Sequence, residues 1–502
     1  MRKKAVLLFI LKLIKIPLNI ILLSMTAKYF GVSLEKDVWI LAFTTMSTID
    51  AALWGPINET FRTKFIFLKE NNSEETALVK TQSLLTYFIL FSVLLVGGIL
   101  AFPDYFTYLI APDYDVSQRL VLVKMIYYVA PVLLFNQLMS IGISILNAYE
   151  IFFIAEVSGF FSTIINIALI YFFVERMDIL SLPLSYYIST LLLIAFIVFF
   201  IIKKKIPLFK ANWNFSFDGF KTFFLFAIPF FLPYFFGQIN SLVEKILASG
   251  IREGVISSLD YANRIPTLMY GIVVSIITTI LVPVLSKYYI KGDKDLYNDE
   301  FRKMFQLGLL IISFITAFIA GASLPMVKIL YDRGSISTEE LISIADLSIL
   351  YGISLLGIFG YVIFGMSLLS SENQKYYAFI GMATQIAVIT INFLFVKLGG
   401  IYIFPISIFF SHSIFAYFMY LKYPFRKDLN IEPRYFLLVI IIVSIMYFGM
   451  RHSVSFTSPY PEVIFQAGVL AILLFILSYI FRLEERQIIL KLISQKIKQL
   501  RK

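Results

Sequence analysis

Apolar runs of roughly 18 residues or more recur along this 502-residue chain, divided by short polar links, and that repetition leaves few ways to fold. A helix of about 20 apolar residues crosses a hydrocarbon layer of about 30 Å, and within that layer each backbone N–H and C=O must be satisfied by protein. Helices meet the demand span by span. The expected fold is all-α, a polytopic membrane protein of about fourteen transmembrane helices. The runs place them at 5–27, 38–60, 82–102, 121–146, 154–174, 183–202, 222–246, 260–286, 304–326, 341–369, 376–396, 401–421, 435–451 and 461–481. Composition agrees: 59% of residues are apolar and 15% charged, against roughly 25% charged in soluble domains.

The same composition removes several chemistries. There is no cysteine, which excludes disulfides, thiol catalysis and cysteine metal sites. The two histidines, His412 and His452, are far apart in sequence and supply neither a nucleophilic triad nor a zinc site. The first run follows a basic Met1-Arg2-Lys3-Lys4 start, is too long for a signal-peptide core and lacks a small-residue cleavage site, so it is read as a retained helix.

A net charge of +11 raises the question of nucleic acid, and the placement of the charges answers it. An even number of spans puts both termini on one side. With that side cytoplasmic, the inner links hold Lys203, Lys204, Lys205, Lys287, Lys291, Lys294, Arg426 and Lys427, and the positive-inside rule is satisfied. The expected location is the bacterial inner membrane, with no nucleic-acid partner. At the end, 482–502 alternates Ile489, Leu490, Ile493, Ile497 and Leu500 with lysines and arginines, the pattern of a basic amphipathic helix lying on an anionic inner leaflet.

Equivalent punctuation recurs about 220 residues apart. Gly31 and Asp37 mirror Gly250 and Asp260, Pro103 mirrors Pro325, and Asn166 and Pro183 mirror Asn392 and Pro405. Six spans separate equivalent points, so two six-helix lobes, 1–212 and 213–425, are expected as parallel repeats, followed by two extra helices (426–481) and the tail. Parallel repeats of this kind are a transporter architecture with the substrate site near the midplane.

At these residues the chain resembles the MurJ (MviN) lipid II flippases of the multidrug/oligosaccharidyl-lipid/polysaccharide exporter superfamily, over roughly 10–420. The densest stretch is QINSLVEKILASGIREGVISSLDYANRI from Gln238 to Ile265, followed by LVPVLSKYY from Leu281 to Tyr289. Supporting pieces are YFGVSLEKDVWILAF from Tyr29, YLIAPDYD from Tyr108, ILNAYEIF from Ile145 and ILYDRGSISTEE from Ile329. The resemblance implies two lobes around a central cavity, a groove for a polyprenyl tail at the C-terminal helices, and an undecaprenyl-pyrophosphate-linked saccharide as cargo, moved from the inner to the outer leaflet. The chain departs from the family where its first two helices carry cavity arginines: here those positions hold Leu22 and Asp50, and Thr267 replaces an acidic residue in the eighth helix.

A charge near the bilayer centre costs about 2.5 to 3.5 kcal/mol on insertion scales, so each one inside a span needs a partner, water or a function. The expected substrate-binding residues are Arg264, Lys12, Lys15, Asp37, Gln238 and Asn240. Arg264 aligns with the family's cavity arginine, and a guanidinium can bind phosphate oxygens in pairs. Its alternative role is an ion pair with Glu244 or Asp260. Lys12 and Lys15 share a helix face ahead of Pro17, with snorkelling to the interface as the alternative. Asp37 matches a family acid and would also complement its own helix dipole. Glu244 and Asp50 are the ion-coupling candidates, as carboxylates in low dielectric that favour protons or sodium. Asn166 and Asn392 more simply bond across helices.

The expected function is a flippase working by alternating access as a monomer, in contact with membrane lipids and without a cofactor; coupling to the membrane potential, Na+ or H+ stays open. An O-antigen or capsule lipid-linked oligosaccharide flippase is the alternative cargo assignment, and a drug/cation antiporter of the same superfamily comes next, though it would want carboxylates in its cavity. A membrane glycosyltransferase or polymerase would carry a long external catalytic loop, which is missing, and no P-loop is present.

Overall fold

A computed structural model describes residues 2–151, 153–209, 213–451 and 456–483, apart from the side chains of 2–13, 153, 155, 156, 158, 233, 272, 275, 276 and 278–280. Among these residues sixteen α-helices form and no strand. They are α1 (Arg2–Phe30), α2 (Leu34–Asn71), α3 (Glu74–Ala101), α4 (Pro103–Ile110), α5 (Val116–Val129), α6 (Val132–Ala148), α7 (Phe153–Met177) and α8 (Ser181–Lys203). Then follow α9 (Phe217–Ser249), α10 (Val255–Ile290), α11 (Lys294–Tyr331), α12 (Thr338–Ser370), α13 (Gln374–Gly399), α14 (Ile403–Leu421), α15 (Pro433–Ser444) and α16 (Pro459–Ile480).

This set is consistent with fourteen spans once two local features are recognised. The expected helix at 121–146 is broken at Pro131, which lacks the N–H that would continue the ladder, giving α5 and α6 in place of one helix. The link after α3 folds into the short α4, with Pro103 at its first turn, where a missing N–H leaves no bond unmade. Helix α15 runs on into a π-helical turn, Ile445–Met450. The expected amphipathic tail lies outside the described residues beyond Leu483, as does His452.

Two compact units result, Met1–Ser257 and Ser258–Lys502. In the first, α2 packs against α3, α5, α6 and α9, while α7 packs against α1 and α8. Lipid is as apolar as leucine, so helix association here rests on close contact and hydrogen bonds more than on the hydrophobic effect. Both are visible. A side chain at Gly55 would overlap the Tyr234 ring of α9, and Phe61 stacks on Phe223 with centroids 5.1 Å apart. Lys80 of α3 holds α9 through Asp218 at 3.2 Å and the Thr222 hydroxyl at 2.9 Å. Helix α9, which the repeat reading places at the start of the second half, thus packs within the first unit.

In the second unit α11 is the spine, contacting α12, α15 and α16, while α14 packs against α12 and α13. Gly308 gives α11 room for the Phe359 ring of α12, and the Thr316 hydroxyl donates to the Gly352 carbonyl at 2.9 Å.

Two helical hairpins, one in each unit, are built alike. Helices α7 and α8 are joined by a 3-10 turn, Asp178–Leu180, and α13 and α14 by another, Gly400–Tyr402. Each turn opens on a positive φ, 47° at Asp178 and 54° at Gly400. Pro183 and Pro405 then stand third in their helices, and Ser185 and Ser407 each donate to the carbonyl three residues back, at 2.9 and 2.8 Å. Asn166 and Asn392, on the preceding helices, both carry a buried side-chain oxygen with no hydrogen-bond partner among the described residues.

Candidate functional site

Arg264 lies in the third turn of α10, in the second unit. Pro266 cannot give the Ala262 carbonyl its usual helical partner, and the Ser348 hydroxyl of α12 donates to that carbonyl instead, at 3.0 Å. The Tyr331 hydroxyl of α11 donates to the neighbouring Tyr261 carbonyl at 3.0 Å. The backbone below Arg264 is therefore pinned to two other helices, and the freedom left at this point belongs to the side chain.

That side chain pairs with Asp260 one turn earlier, with Nη2 3.1 Å from Oδ1 and two longer contacts at 3.4 Å to Oδ2. Glu244, the other partner considered, is bonded instead to Lys245 of its own helix at 2.8 Å. The Arg264 side chain is 55% exposed, although it sits in an apolar helix. Loose geometry on one side and open space on the other leave N–H donors available to an anion.

The remaining candidates belong to the first unit. Asp37 is buried in the first turn of α2 and accepts the Ser257 N–H at 2.7 Å. It thus caps the N-terminus of α10, not only its own helix, where Ser33 already serves by accepting from the Lys36 N–H at 3.2 Å. The turn before α10 can sit this close because Gly254, at φ +80°, has no side chain to strike Val32. Nearby, Gln118 donates to Glu253 at 2.9 Å. In the link ahead of α5, burial pushes the Tyr114 phenol above its ordinary pKa, and the charges of Asp37 and Glu253 push it further.

Asp50 accepts a hydrogen bond from the buried Gln137 amide of α6, and the Gln137 carbonyl oxygen receives Asn58 Nδ2 at 3.5 Å. Tyr186 of α8 donates to the adjacent Asn136. A carboxylate inside a span is thus held by the Gln137 amide, with no cation paired to it among the described residues. Lys15 is half-buried and its ammonium lies against Gly159 of α7; the Lys12 side chain falls outside the described residues. Gln238 and Asn240 are half-buried in α9. Asn136, Gln137 and Tyr186 were missed in the sequence, although two adjacent amides in an apolar helix were a signal. So were Asp346 and Arg451, charges of opposite sign at the edges of two expected spans, joined by an ion pair in the structure.

Known proteins agree with this architecture. The family model described as lipid II flippase MurJ matches residues 26–460. The probable lipid II flippase MurJ of Buchnera aphidicola subsp. Schizaphis graminum is 26% identical over 63% of this chain and 62% of its own length, so the match spans just under two thirds of that relative. The probable lipid II flippase MurJ of Aquifex aeolicus is 27% identical over 79% of this chain and 78% of its own. A solved structure of the lipid II flippase MurJ in an inward closed conformation superposes with a TM-score of 0.82 at 21% identity, covering 96% of this chain and 100% of that one, a likeness of fold. A family match running from the end of α1 to the start of α16, on a polytopic helical fold with an open arginine in α10, leads to one conclusion: the chain belongs to the MurJ lipid II flippase family.

Proposed function

We propose that this protein carries an undecaprenyl-pyrophosphate-linked saccharide of the lipid II type from the inner to the outer leaflet of a bacterial cytoplasmic membrane, by alternating access and as a monomer with both termini cytoplasmic. The observation that carries this reading is Arg264, a guanidinium in an apolar helix, braced from behind by Ser348 and Tyr331 and only loosely held by Asp260. A diphosphate supplies the charge that Asp260 partly supplies at rest, in the bidentate form that guanidinium favours. Lys15 and Lys12 add positive charge from α1, while Gln238 and Asn240 offer amides to the saccharide. Parallel repeats are the bodies that would alternate, a reading supported by the two like-built hairpins, one in each unit.

Coupling is assigned to Asp50 and Glu244, through a proton or Na+, or through the membrane potential, which is worth about 2.3 kcal/mol per charge per 100 mV. The test of the cargo is depletion in the native cell: lipid II should accumulate in the inner leaflet. Accumulation of a capsule or O-antigen precursor in its place would overturn the assignment. The test of the mechanism is flipping in reconstituted vesicles, where Arg264→Ala should transport at background rate, and wild-type transport by this variant would remove it.

A further inference from the structure

A cavity of about 550 Å³, whose lining does not include Arg264, opens in the second unit among α11, α12, the turn before α14 and the end of α15. Its walls are mostly apolar, including Ile349, Leu350, Val443 and Phe448, and one opposed pair of charges interrupts them: Asp346 of α12 and Arg451 after α15.

The π-helical turn sets this pair. The Arg451 N–H donates to the Met446 carbonyl five residues back, at 3.3 Å, and a π turn is wider than an α turn and often marks a functional position. Met446 is wedged against Gly321 of α11, where an added Cβ would stand 2.6 Å from the methionine methyl. So anchored, the turn carries the guanidinium over the Tyr447 ring, 5.5 Å from its centroid, and toward Asp346.

The pair links α12 to the end of α15, and charges in a span are costly unless they have a further use. The pair is also left half used. Among the described residues Arg451 gives one side-chain hydrogen bond, through Nη2 to Asp346 Oδ1, and the Asp346 side chain stays 35% exposed. The cavity therefore presents unspent N–H donors and an unspent carboxylate oxygen side by side, above an apolar slot.

An anion alone would meet Asp346, and a cation alone would meet Arg451. A zwitterion with phosphate and ammonium two carbons apart satisfies both. We propose that this pocket holds the headgroup of a phosphatidylethanolamine molecule, its phosphate on the Arg451 guanidinium, its ammonium on the Asp346 carboxylate, and its acyl chains along Ile349, Val443 and Phe448. An ammonium donates N–H to the carboxylate, which a trimethylammonium cannot do. By the charge bias of the links this end of α15 faces the outer leaflet, so the lipid is a resident of that leaflet and not the cargo.

The full chain, purified and delipidated in mild detergent, is offered phosphatidylethanolamine, phosphatidylcholine or phosphatidylglycerol with identical acyl chains, and bound lipid is counted by native mass spectrometry. The wild type should retain phosphatidylethanolamine about five-fold over either competitor, a specificity built from both attraction and repulsion. Asp346→Asn should erase the preference over phosphatidylglycerol, and Arg451→Gln should lose all three lipids. Equal retention of the three headgroups by the wild type overturns the proposal without any variant. A preference that survives both substitutions, or a polyprenyl diphosphate that displaces phosphatidylethanolamine from the wild type, overturns it as well. An ion pair serving only to hold helices would lower the melting temperature of both variants and leave the headgroup preference untouched, which also overturns it.

Discussion

The two units hold carboxylates within apolar helices in different ways. In the first, two carboxylates of α2 are held by neutral donors, Asp37 by the Ser257 backbone and Asp50 by the Gln137 amide, while Glu244 of α9 is paired with its neighbour Lys245. In the second, each of two carboxylates is matched with an arginine, Asp260 with Arg264 and Asp346 with Arg451. Amide donors bind a carboxylate without cancelling its charge, so such a site can still take up a proton or a cation. An arginine never gives up its proton, so a site built on one offers a fixed positive charge to an anion. The difference fits the proposal that Asp50 serves ion coupling and Arg264 anion recognition.

The sharpest way to break that division is to exchange the fixed charge for a mobile one. Arg264→Ala should lower flipping in vesicles by about 100-fold, or about 2.7 kcal/mol, with expression unchanged, and Arg264→Lys should recover only part of it, since an ammonium lacks the fork that grips a diphosphate. Full recovery by lysine would mean that charge alone suffices and that the geometry braced by Ser348 and Tyr331 does not matter.

Asp37→Ala comes next and is read in stability. Losing a charge-assisted bond to the first turn of α10 should cost about 2 kcal/mol in the reversible unfolding of the detergent-solubilised protein. Asp37→Asn, which keeps an acceptor oxygen, should cost less than half of that. If the alanine variant unfolds like the wild type but fails to flip, Asp37 belongs with the substrate-binding residues and not with the caps.

Asp50→Asn tests the coupling half of the comparison. The asparagine oxygen can still accept from Gln137, so a structural role predicts little change, whereas a coupling role predicts about a tenfold fall in flipping, near 1.4 kcal/mol, and loss of its dependence on pH or sodium. A transport rate that keeps its ion dependence in this variant would leave Glu244 as the remaining coupling candidate.

Much of this was legible in the sequence because the bilayer allows so few solutions. Apolar run length alone located the spans, and Asn166 and Pro183 against Asn392 and Pro405, read as the punctuation of a repeat, fall in two hairpins built alike down to the serine bonds. What escaped were consequences of contacts distant in sequence. Nothing near Asp37 shows that its partner is Ser257, 220 positions away, and Arg264 alone does not reveal whether Glu244 or Asp260 holds it. The break at Pro131 and the opposed pair Asp346 and Arg451 were visible as residues, yet their effect depends on a backbone turn and a facing helix that hydropathy does not describe.

The smallest expected effect is also the most local test of the arginine site. Ser348→Ala removes the hydroxyl that satisfies the Ala262 carbonyl, which Pro266 leaves without its helical donor. Hydrogen bonds between membrane helices average about 0.6 kcal/mol in double-mutant cycles, so the loss of stability should be about that size. The loss should also depend on the proline: in a Pro266→Ala background the restored N–H can serve the same carbonyl, and the serine should then matter less. Equal effects of Ser348→Ala with and without Pro266 would show that the serine acts elsewhere. In that case the backbone beneath Arg264 is not held by the exchange of donors inferred from its geometry, and its side chain has no firm base from which to meet a diphosphate.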